Sequence, residues 1–350
     1  MRVALVSATT VHHQPGDAAE RLNRLATLLD DRGHEVTVLS AQWWDGEPAT
    51  FERDGVTYRA VTRTPQDWQF PYRLPLAIRR ARPDVVHSVC QPPGHMIGAR
   101  IGATLAGAPL VVECYDPPMA RSRLASRLYA IGGRSADAVV TPSRTVKTRV
   151  REFGVAPEDI HVIPTGIDMA QIRVVDPAPG GDIVFSRRLD DASNLETLLL
   201  GLAEFREYDW GVTIIGDGPR RADFERQAAD LRIDDRVEFV GEKPLEERLA
   251  FFKDAHVYVH TAEYTPFAIE LLRALAAGCV GIVEYQEDSS AHELVEQEER
   301  GFLATSAQEL TERLVQARNL ERLTVDEGFE PYDQESFVKR YEELYRTLAT

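Results

Sequence analysis

The stretch from Val212 to Val283 constrains the fold more than any other part of the chain. It contains three short apolar segments, each followed by a loop: Val212–Ile215, Val237–Gly241 and Val257–His260. Helical patterns separate these segments, which is typical of parallel βαβ units. In such a sheet the ligand lies beyond the carboxyl ends of the strands. We therefore expect the loops after the three strands to converge on one binding site.

The same alternation of strands and helices continues toward both ends of the chain. Predicted strands begin with Val3–Ser7 and recur as far as Ile183–Ser186, which indicates an α/β fold with doubly wound parallel sheets. A chain of 350 residues is too long for one ordinary core. A segment rich in proline and glycine, Val174–Asp182, predicts a linker. We expect domains at 1–172 and 183–332, a linker at 173–182 and an amphipathic C-terminal helix at 333–350.

Composition restricts the class of protein. The formal net charge of −16 makes nucleic-acid binding by the whole surface improbable on electrostatic grounds. Three scattered cysteines, without the spacing of a metal site, indicate a reducing compartment. The N-terminus has no cleavage pattern, and no apolar run approaches the roughly 20 residues of a membrane span. We expect a cytoplasmic protein, and, without an Asp-x-Asp motif at a strand end or a His/Cys cluster, no metal cofactor.

One region reverses the charge of the chain. Between Trp68 and Ala136 there are nine arginines and only three acidic residues. The segment Trp68–Arg82 interleaves aromatic and basic residues, and Ala120–Arg134 has the pattern of a basic amphipathic helix. Two interpretations are open at this point. The arginines contact an anionic partner, either an acceptor phosphate or the inner face of a membrane, or they pair with acids elsewhere on the protein.

Three ordered motifs resemble one enzyme family. They are Gly216–Pro219 (GDGP), Val237–Gly241 (VEFVG) and Thr265–Gly278 (TPFAIELLRALAAG), and together they resemble the retaining glycosyltransferases of family 4. The resemblance covers nearly the whole chain, including VIPTGID at Val162–Asp168. It implies the GT-B architecture, in which two Rossmann-like domains face a cleft and the second binds the nucleotide. It also implies transfer of a sugar from a nucleotide sugar to a glycan or lipid-linked acceptor, with retention of configuration.

The phosphate-binding segment departs from the family pattern. Arg188 and Leu189 match it, but Arg187 replaces a glycine and Ser193 stands where the family has a lysine. A breaking glycosidic bond adds negative charge to the diphosphate, so the site needs fixed cations or backbone N–H groups there. We expect Arg187 and Arg188 to face the diphosphate.

The family's paired glutamates are also replaced. Thr265 stands at the first position, and Arg273 stands at the second, which usually binds the ribose hydroxyls. Glu263 and Glu270 lie nearby in another register. Glu270 precedes Arg273 by three residues, so both share a helix face. Glu270 either reaches the ribose or pairs with Arg273, and an arginine cannot accept a hydrogen bond from a hydroxyl.

The first domain carries the expected acceptor side. In the run VECYD, Tyr115 fills the place of a family histidine and Asp116 matches the family aspartate. Tyrosine donates a hydrogen bond but is a poor base at neutral pH. The loop after the first strand has one glycine, Gly16, where the family usually has two. Gly16 either contacts a ligand or belongs to an ordinary strand-to-helix turn.

These patterns define a predicted site and two functional hypotheses. The chain is either an active transferase with an altered donor site or a non-catalytic GT-B protein that acts as a binding or partner subunit. Two of the replacements are arginines, which favours retained anion binding and therefore activity. The predicted catalytic residues are Tyr115, Asp116 and Glu263. The predicted donor-binding residues are Arg187, Arg188, Gly216, Gly218, Gly241, Glu242, Lys243, Pro266, Phe267, Glu270 and Arg273, and the acceptor-side residues are Gly16, Glu20, Arg121 and Arg123.

Overall fold

The structure is a computed structural model that describes residues 1–46, 49–117 and 123–349, without the side chains of residues 123 and 124. The chain divides into two compact units. The first contains Met1–Thr165 together with the C-terminal segment from Glu335, and the second contains Gly166–Gln334. Each unit has its own sheet and its own hydrophobic core.

The first unit is built on an eight-stranded sheet in the order β3-β4-β2-β1-β5-β6-β7-β8. All neighbouring strands are parallel except β3, which pairs antiparallel with β4. The chain order reverses between β1 and β5, so the loops after these two strands lie at the switch point of the sheet. The strands are β1 (Arg2–Val6), β2 (Glu35–Ala41), β3 (Thr50–Arg53), β4 (Val56–Thr62), β5 (Val85–Val89), β6 (Leu110–Glu113), β7 (Ala138–Thr141) and β8 (Ile160–Val162).

Five helices of the first unit connect these strands. They bury apolar faces against the sheet, as in α1, where Leu22, Leu25 and Leu29 belong to the core. The Ser143 hydroxyl caps the fifth helix by accepting a hydrogen bond from the Val146 N–H at 3.2 Å. The helices are α1 (Asp17–Asp31), α2 (Phe70–Ala81), α3 (Pro93–Ala106), α4 (Arg123–Arg134) and α5 (Arg144–Glu152).

The second unit contains a six-stranded sheet in the order β11-β10-β9-β12-β13-β14, with all strands parallel. From β9 the chain proceeds outward through β10 and β11 and then returns to β12 on the other side of β9. The switch point therefore lies between β9 and β12. The strands are β9 (Ile183–Ser186), β10 (Val212–Ile215), β11 (Val237–Gly241), β12 (Val257–His260), β13 (Val280–Glu284) and β14 (Gly301–Ala304).

Helices cover both faces of this sheet, and the chain then returns to the first unit. The helices of the second unit are α6 (Met169–Val174), α7 (Leu195–Glu204), α8 (Arg221–Asp230), α9 (Leu245–Asp254), α10 (Ile269–Ala276) and α11 (Ala307–Ala317), and the C-terminal helix is α12 (Gln334–Ala349). These observations confirm the predicted α/β fold with two doubly wound sheets. The observed division falls at Thr165, earlier than the predicted boundary at 172, and the first residues of the predicted linker belong to α6. The Asp168 carboxylate accepts a hydrogen bond from the Gln171 N–H and so caps the start of α6, whose last two residues belong to the predicted linker.

A buried polar network fastens α12 to the sheet of the first unit. Arg21 on α1 forms an ion pair with Glu113 at the end of β6, with 2.9 Å between Arg21 Nε and Glu113 Oε1. The Tyr341 hydroxyl on α12 donates to Glu113 Oε2 at 2.5 Å, and Arg21 donates to the Tyr341 oxygen at 2.6 Å. His87 Nε2 lies 3.3 Å from Glu113 Oε2, and its Nδ1 lies 2.6 Å from the Tyr345 hydroxyl oxygen.

The charges in this network depend on one another. Burial alone raises the pKa of Glu113, but the Arg21 charge and hydrogen bonds from His87 and Tyr341 outweigh it and hold that pKa at about 2. Removal of the cation leaves a buried carboxylate without its ion-pair partner. The docking of α12 therefore relies on a matched set of polar groups in addition to the apolar contacts of Phe337 and Tyr345.

Within the described residues, no helix has both the length and the hydrophobicity that a transmembrane span requires.

Replacing Arg21 with methionine is expected to lower the free energy of unfolding of the first unit by about 3–5 kcal/mol, because Glu113 loses its ion-pair partner in the interior. Urea unfolding followed by circular dichroism and by tryptophan fluorescence measures this loss. The control is Arg2→Met, which removes an exposed ion pair with Asp84 and should cost at most about 1 kcal/mol. Equal effects of the two substitutions would contradict the role assigned to the network.

Candidate active site

The turns after β9 and β10 interlock through their backbones. The Arg187 N–H donates to the Ile215 carbonyl at 3.0 Å, and the Leu189 N–H donates to the Asp217 carbonyl at 2.9 Å. Gly216 has a φ of +131°, and a Cβ atom there would lie 2.0 Å from the Arg187 carbonyl oxygen. At Gly218 a Cβ would lie 2.2 Å from the Leu189 carbonyl oxygen. Both glycines of the GDGP motif are therefore required by the contact between the two turns.

The neighbouring turn after β11 completes this edge of the sheet. Gly241 has a φ of +75°, and its carbonyl accepts the Gly216 N–H at 2.9 Å. Glu242 is exposed, and Lys243 is half-buried with its ammonium 3.3 Å from the Glu247 carboxylate. The structure thus brings Gly216, Gly218 and Gly241 together at the carboxyl ends of three neighbouring strands, where the sequence analysis placed the nucleotide.

Arg187 and Arg188 follow β9 but have different surroundings. The Arg188 side chain is 67% exposed and lies 3.8 Å from the Asp190 carboxylate, which leaves its guanidinium accessible. The Arg187 side chain is half-buried, donating from Nη1 to Thr265 Oγ1 at 3.0 Å and from Nη2 to the Tyr264 carbonyl at 3.0 Å. The two positions where this chain departs from the family's glycine and first glutamate therefore contact each other directly.

Two hydrogen bonds from Ser290 hold the loop after β12 in place. The Ser290 N–H donates to the Thr265 carbonyl at 2.9 Å, and the Ser290 hydroxyl donates to the Pro266 carbonyl at 2.8 Å. Phe267 is buried at the start of the following turn. Glu263 is exposed, and its N–H donates to the Ala192 carbonyl at 3.1 Å.

Glu270 and Arg273 form an ion pair, the second of the two alternatives that the sequence left open. Glu270 Oε1 accepts a hydrogen bond from Arg273 and lies 3.2 Å from Nη1 of Arg248 on α9. Arg273 is buried and Arg248 is half-buried, so one carboxylate faces two largely buried cations. Glu270 Oε2 is buried and has no partner among the described residues. Contact of Glu270 with a ribose remains a prediction.

Sequence reasoning missed Glu284, which ends β13. The Asn194 side chain donates to its Oε2 at 2.8 Å, and Asn194 immediately follows Ser193, where the family has a lysine. Burial raises the pKa of Glu284 to about 6. Repulsion from Glu263 adds to this rise, and a hydrogen bond from Thr197 opposes it. The sequence did contain a signal for Glu284, since a glutamate at the end of an apolar strand lies where the strand ends form this site.

His260, the last residue of β12, is neutral in this structure. Burial, with the charge of Arg187, lowers its pKa to about 3. Its Nε2 lies 3.3 Å from Thr265 Oγ1. Among the residues that the structure describes, no group of three His, Cys, Asp or Glu side chains is arranged to hold a metal ion.

The acceptor-side candidates lie in the first unit. Tyr115 follows β6 and is buried. Burial and the nearby Asp17 carboxylate raise its pKa well above the usual value, so the hydroxyl keeps its proton. Asp116 is exposed. Gly16 precedes α1 in an extended conformation, Glu20 in the first turn is exposed, and among the described residues no neighbouring atom lies within 4 Å of the place that a Cβ would take at Gly16. The fold itself therefore leaves room for a side chain at Gly16.

The two remaining acceptor-side candidates are Arg121 and Arg123. Arg121 lies outside the described residues, and Arg123 begins α4 but its side chain is not described.

Replacing Gly216 with alanine is expected to destabilise the second unit by about 1–3 kcal/mol from backbone strain alone, because φ of +131° disfavours a side chain. The overlap with the Arg187 carbonyl adds to this cost and displaces the turn after β9. The matched control is Gly211→Ala, where the nearest atom lies at an ordinary 3.5 Å. Chemical denaturation of both variants measures the difference, and similar stabilities would contradict the interlock described above.

Comparison with known proteins agrees with this architecture. Residues 18–171 match the family model described as Glycosyltransferase Family 4, and residues 175–325 match the model described as Glycosyl transferases group 1. Among curated relatives, the alpha-monoglucosyldiacylglycerol synthase of Streptococcus pneumoniae is 23% identical, covering 99% of this chain and 85% of the relative. A glycogen synthase of Mycobacterium tuberculosis is 26% identical, covering 79% of this chain and 76% of the relative.

Solved structures share the fold at low sequence identity. Anabaena HepE in complex with UDP superimposes with a TM-score of 0.80 at 18% identity, covering 99% of this chain and 100% of that one. A glycosyltransferase from Rickettsia africae superimposes with a TM-score of 0.79 at 13% identity, covering 99% and 98%. The two consecutive family matches and the two doubly wound sheets lead to one conclusion: the chain belongs to the family 4 glycosyltransferases and has the GT-B fold.

Proposed function

We propose that this glycosyltransferase moves a sugar from a nucleotide diphosphate sugar to a glycan or lipid-linked acceptor, with retention of anomeric configuration. The observation that carries the proposal is the edge formed by the turns after β9, β10 and β12, which places an accessible arginine at the switch point of the second sheet. Structures of Anabaena HepE contain UDP and UDP-glucose, which supports a nucleotide sugar as the donor here.

Arg188 is the residue we assign to the diphosphate. Its side chain is 67% exposed and its nearest carboxylate is 3.8 Å away, so it is free to turn toward a ligand. A charge-assisted hydrogen bond to a phosphate oxygen strengthens as the glycosidic bond breaks and charge accumulates on the leaving group. In this proposal Arg188 supplies the positive charge at the diphosphate, and Ser193, at the position of the family lysine, adds none.

The acceptor roles follow from protonation and exposure in the first unit. Asp116 is an exposed carboxylate, which suits it to accept a hydrogen bond from an acceptor hydroxyl. Tyr115 keeps its proton and is therefore assigned as a hydrogen-bond donor instead of a base. Glu263, exposed on the loop after β12, is assigned to the hydroxyls of the donor sugar.

Replacing Arg188 with alanine is expected to weaken nucleotide diphosphate binding by about tenfold or more, because a charge-assisted hydrogen bond contributes about 1.5–3 kcal/mol. Calorimetric titration with UDP, ADP and GDP measures the change. Arg226→Ala is the matched control, since Arg226 is 68% exposed and lies 3.2 Å from Asp223 on α8. Unchanged affinity in the Arg188 variant would contradict the donor assignment. Proton NMR of the product of a productive assay then identifies its anomeric configuration and tests retention.

A surface of the first unit supports a lipid-linked acceptor. Three large side chains in or just before α2 are strongly exposed: Trp68 (73%), Tyr72 (75%) and Leu76 (52%). Tyr72 and Leu76 are four residues apart and lie along one side of the helix, and Trp68 precedes its first residue. The neighbouring helices α3 and α4 add exposed apolar side chains, namely Ile101, Leu105 and Ile131. We call these six residues the apolar face.

The charges around the apolar face favour an anionic surface as its partner. Asp84 pairs with Arg2, and Glu113 is buried in the polar network, so two of the three local acids are already engaged. Arg100 pairs with Asp137, so this arginine contacts an acid of the protein itself. Within the described part of the chain, Arg79 and Arg80 on α2 are exposed and form no ion pair. Aromatic, apolar and arginine side chains together are typical of proteins that bind the interface of an anionic bilayer.

Replacing Trp68, Tyr72 and Leu76 together with serine is expected to reduce binding to vesicles by at least tenfold, because each apolar side chain loses about 1 kcal/mol or more of interfacial burial. Sedimentation with vesicles of rising phosphatidylserine content measures the binding, which should increase with lipid charge and weaken with salt. The control replaces Leu200 (44% exposed) and Tyr285 (48% exposed) in the second unit. Binding that ignores lipid charge would contradict the membrane assignment.

A further inference from the structure

The guanidinium of Arg187 lies at the switch point of the second sheet without a carboxylate partner among the described residues. Its two recorded hydrogen bonds go to neutral acceptors, the Thr265 hydroxyl and the Tyr264 carbonyl. Its Nε is buried and has no partner within the described part of the chain. A largely buried cation without a counter-charge is costly unless a ligand provides that charge. This position therefore indicates an anionic group on the ligand.

A second unsatisfied group lies on the segment whose backbone pairs with Thr265. Ser289 is 1% exposed, and its hydroxyl has no partner among the described residues. Ser289 pairs with Thr265 in an isolated parallel β-bridge, and the adjacent Ser290 fixes the same loop through two hydrogen bonds. Arginine N–H groups and a serine hydroxyl are donors that suit the oxygens of a carboxylate.

The charges near this point are predominantly positive. Tyr258, whose hydroxyl donates to the Ser186 carbonyl at 3.0 Å, has Arg187, Arg248 and Glu270 as electrostatic neighbours. Glu270 is engaged by both Arg248 and Arg273. Three arginines and only one half-buried carboxylate, Glu270, are therefore identified by these contacts. Glu263 is on the same loop but exposed to solvent, where its charge is screened.

The contacts of Arg187 favour a role on the sugar side of the donor over the diphosphate binding expected from the sequence. Its hydrogen bonds tie it to the loop after β12, which the resemblance assigns to the ribose or sugar side of the donor. At Thr265 the family has a glutamate, an acceptor that suits sugar hydroxyls and repels a carboxylate. This chain has a hydroxyl and an approaching cation instead, so the polarity of the subsite is reversed.

We infer that the donor is a nucleotide sugar whose sugar carries a carboxylate, a uronic acid, and that Arg187 together with Thr265 selects it. The inference rests on the proposed function, since it specifies the sugar that the same site accepts. Arg187 retains three N–H donors beyond the two used within the protein, enough for a carboxylate to be bound through both oxygens.

Calorimetric titration of the full-length protein with UDP, UDP-glucose and UDP-glucuronic acid tests this specificity. The dissociation constant of UDP-glucuronic acid is expected to be at least about tenfold lower than that of UDP-glucose. Arg187→Gln should abolish this preference, and it should weaken the binding of UDP less than the binding of UDP-glucuronic acid. Arg187→Lys, which keeps the charge but loses the planar fork, should retain part of the preference.

Arg236→Gln is the matched control. Arg236 also donates to backbone carbonyls, those of Arg206 and Tyr208, but it precedes β11 at the opposite edge of the sheet. This variant should keep the preference of the unsubstituted protein. Circular dichroism verifies that each variant is folded, and the lysine variant provides the comparison if the glutamine variant does not fold.

Three outcomes would overturn the inference. Equal dissociation constants for the two sugars in the unsubstituted protein exclude selection of a carboxylate. A preference that survives in Arg187→Gln excludes Arg187 as its source. A loss of UDP affinity beyond about tenfold in that variant assigns Arg187 to the diphosphate. Failure of the unsubstituted protein to bind UDP, ADP or GDP is a separate outcome, which contradicts the proposed function on which the inference rests.

Discussion

The interlock between the turns after β9 and β10 is the constraint on which the candidate donor site depends. Parallel strands deliver their loops to one edge of a sheet, but they do not by themselves hold those loops at a defined separation. Here backbone hydrogen bonds from Arg187 and Leu189 fasten one turn to the other, and the glycines at 216 and 218 permit the approach. The resulting frame fixes the backbone from which the candidate side chains project.

Two of the replaced family positions, Arg187 and Thr265, are in direct contact. Arg187, which replaces a glycine, donates to Thr265, which replaces a glutamate, and Arg273, which replaces the other glutamate, pairs with Glu270. Random loss of function would not be expected to bring the new side chains into contact with one another. The contacts argue for a site whose polarity was changed as a unit, consistent with an enzyme that accepts a more negatively charged donor.

The first unit reveals a different use of buried charge. Arg21, Glu113 and Tyr341 connect α1, the end of β6 and the C-terminal helix, and Glu113 precedes Tyr115 by two residues. The network thus fixes the end of the strand that leads to the acceptor-side candidates. A buried ion pair of this kind contributes geometry more than net stability, since desolvation offsets much of the attraction between the charges.

The sequence alone determined the fold class and predicted which edge of the second sheet binds the donor. Alternating apolar strands and amphipathic helices permit few topologies, and motif order identified the family. It could not resolve whether Glu270 pairs with Arg273, because two residues on one helix face have several possible partners. It missed β3 and β4, Glu284 and the Arg21 network. Only the tertiary structure joins Arg187 to Thr265, residues 78 positions apart, because contacts between distant segments depend on how the strands are ordered in the sheet.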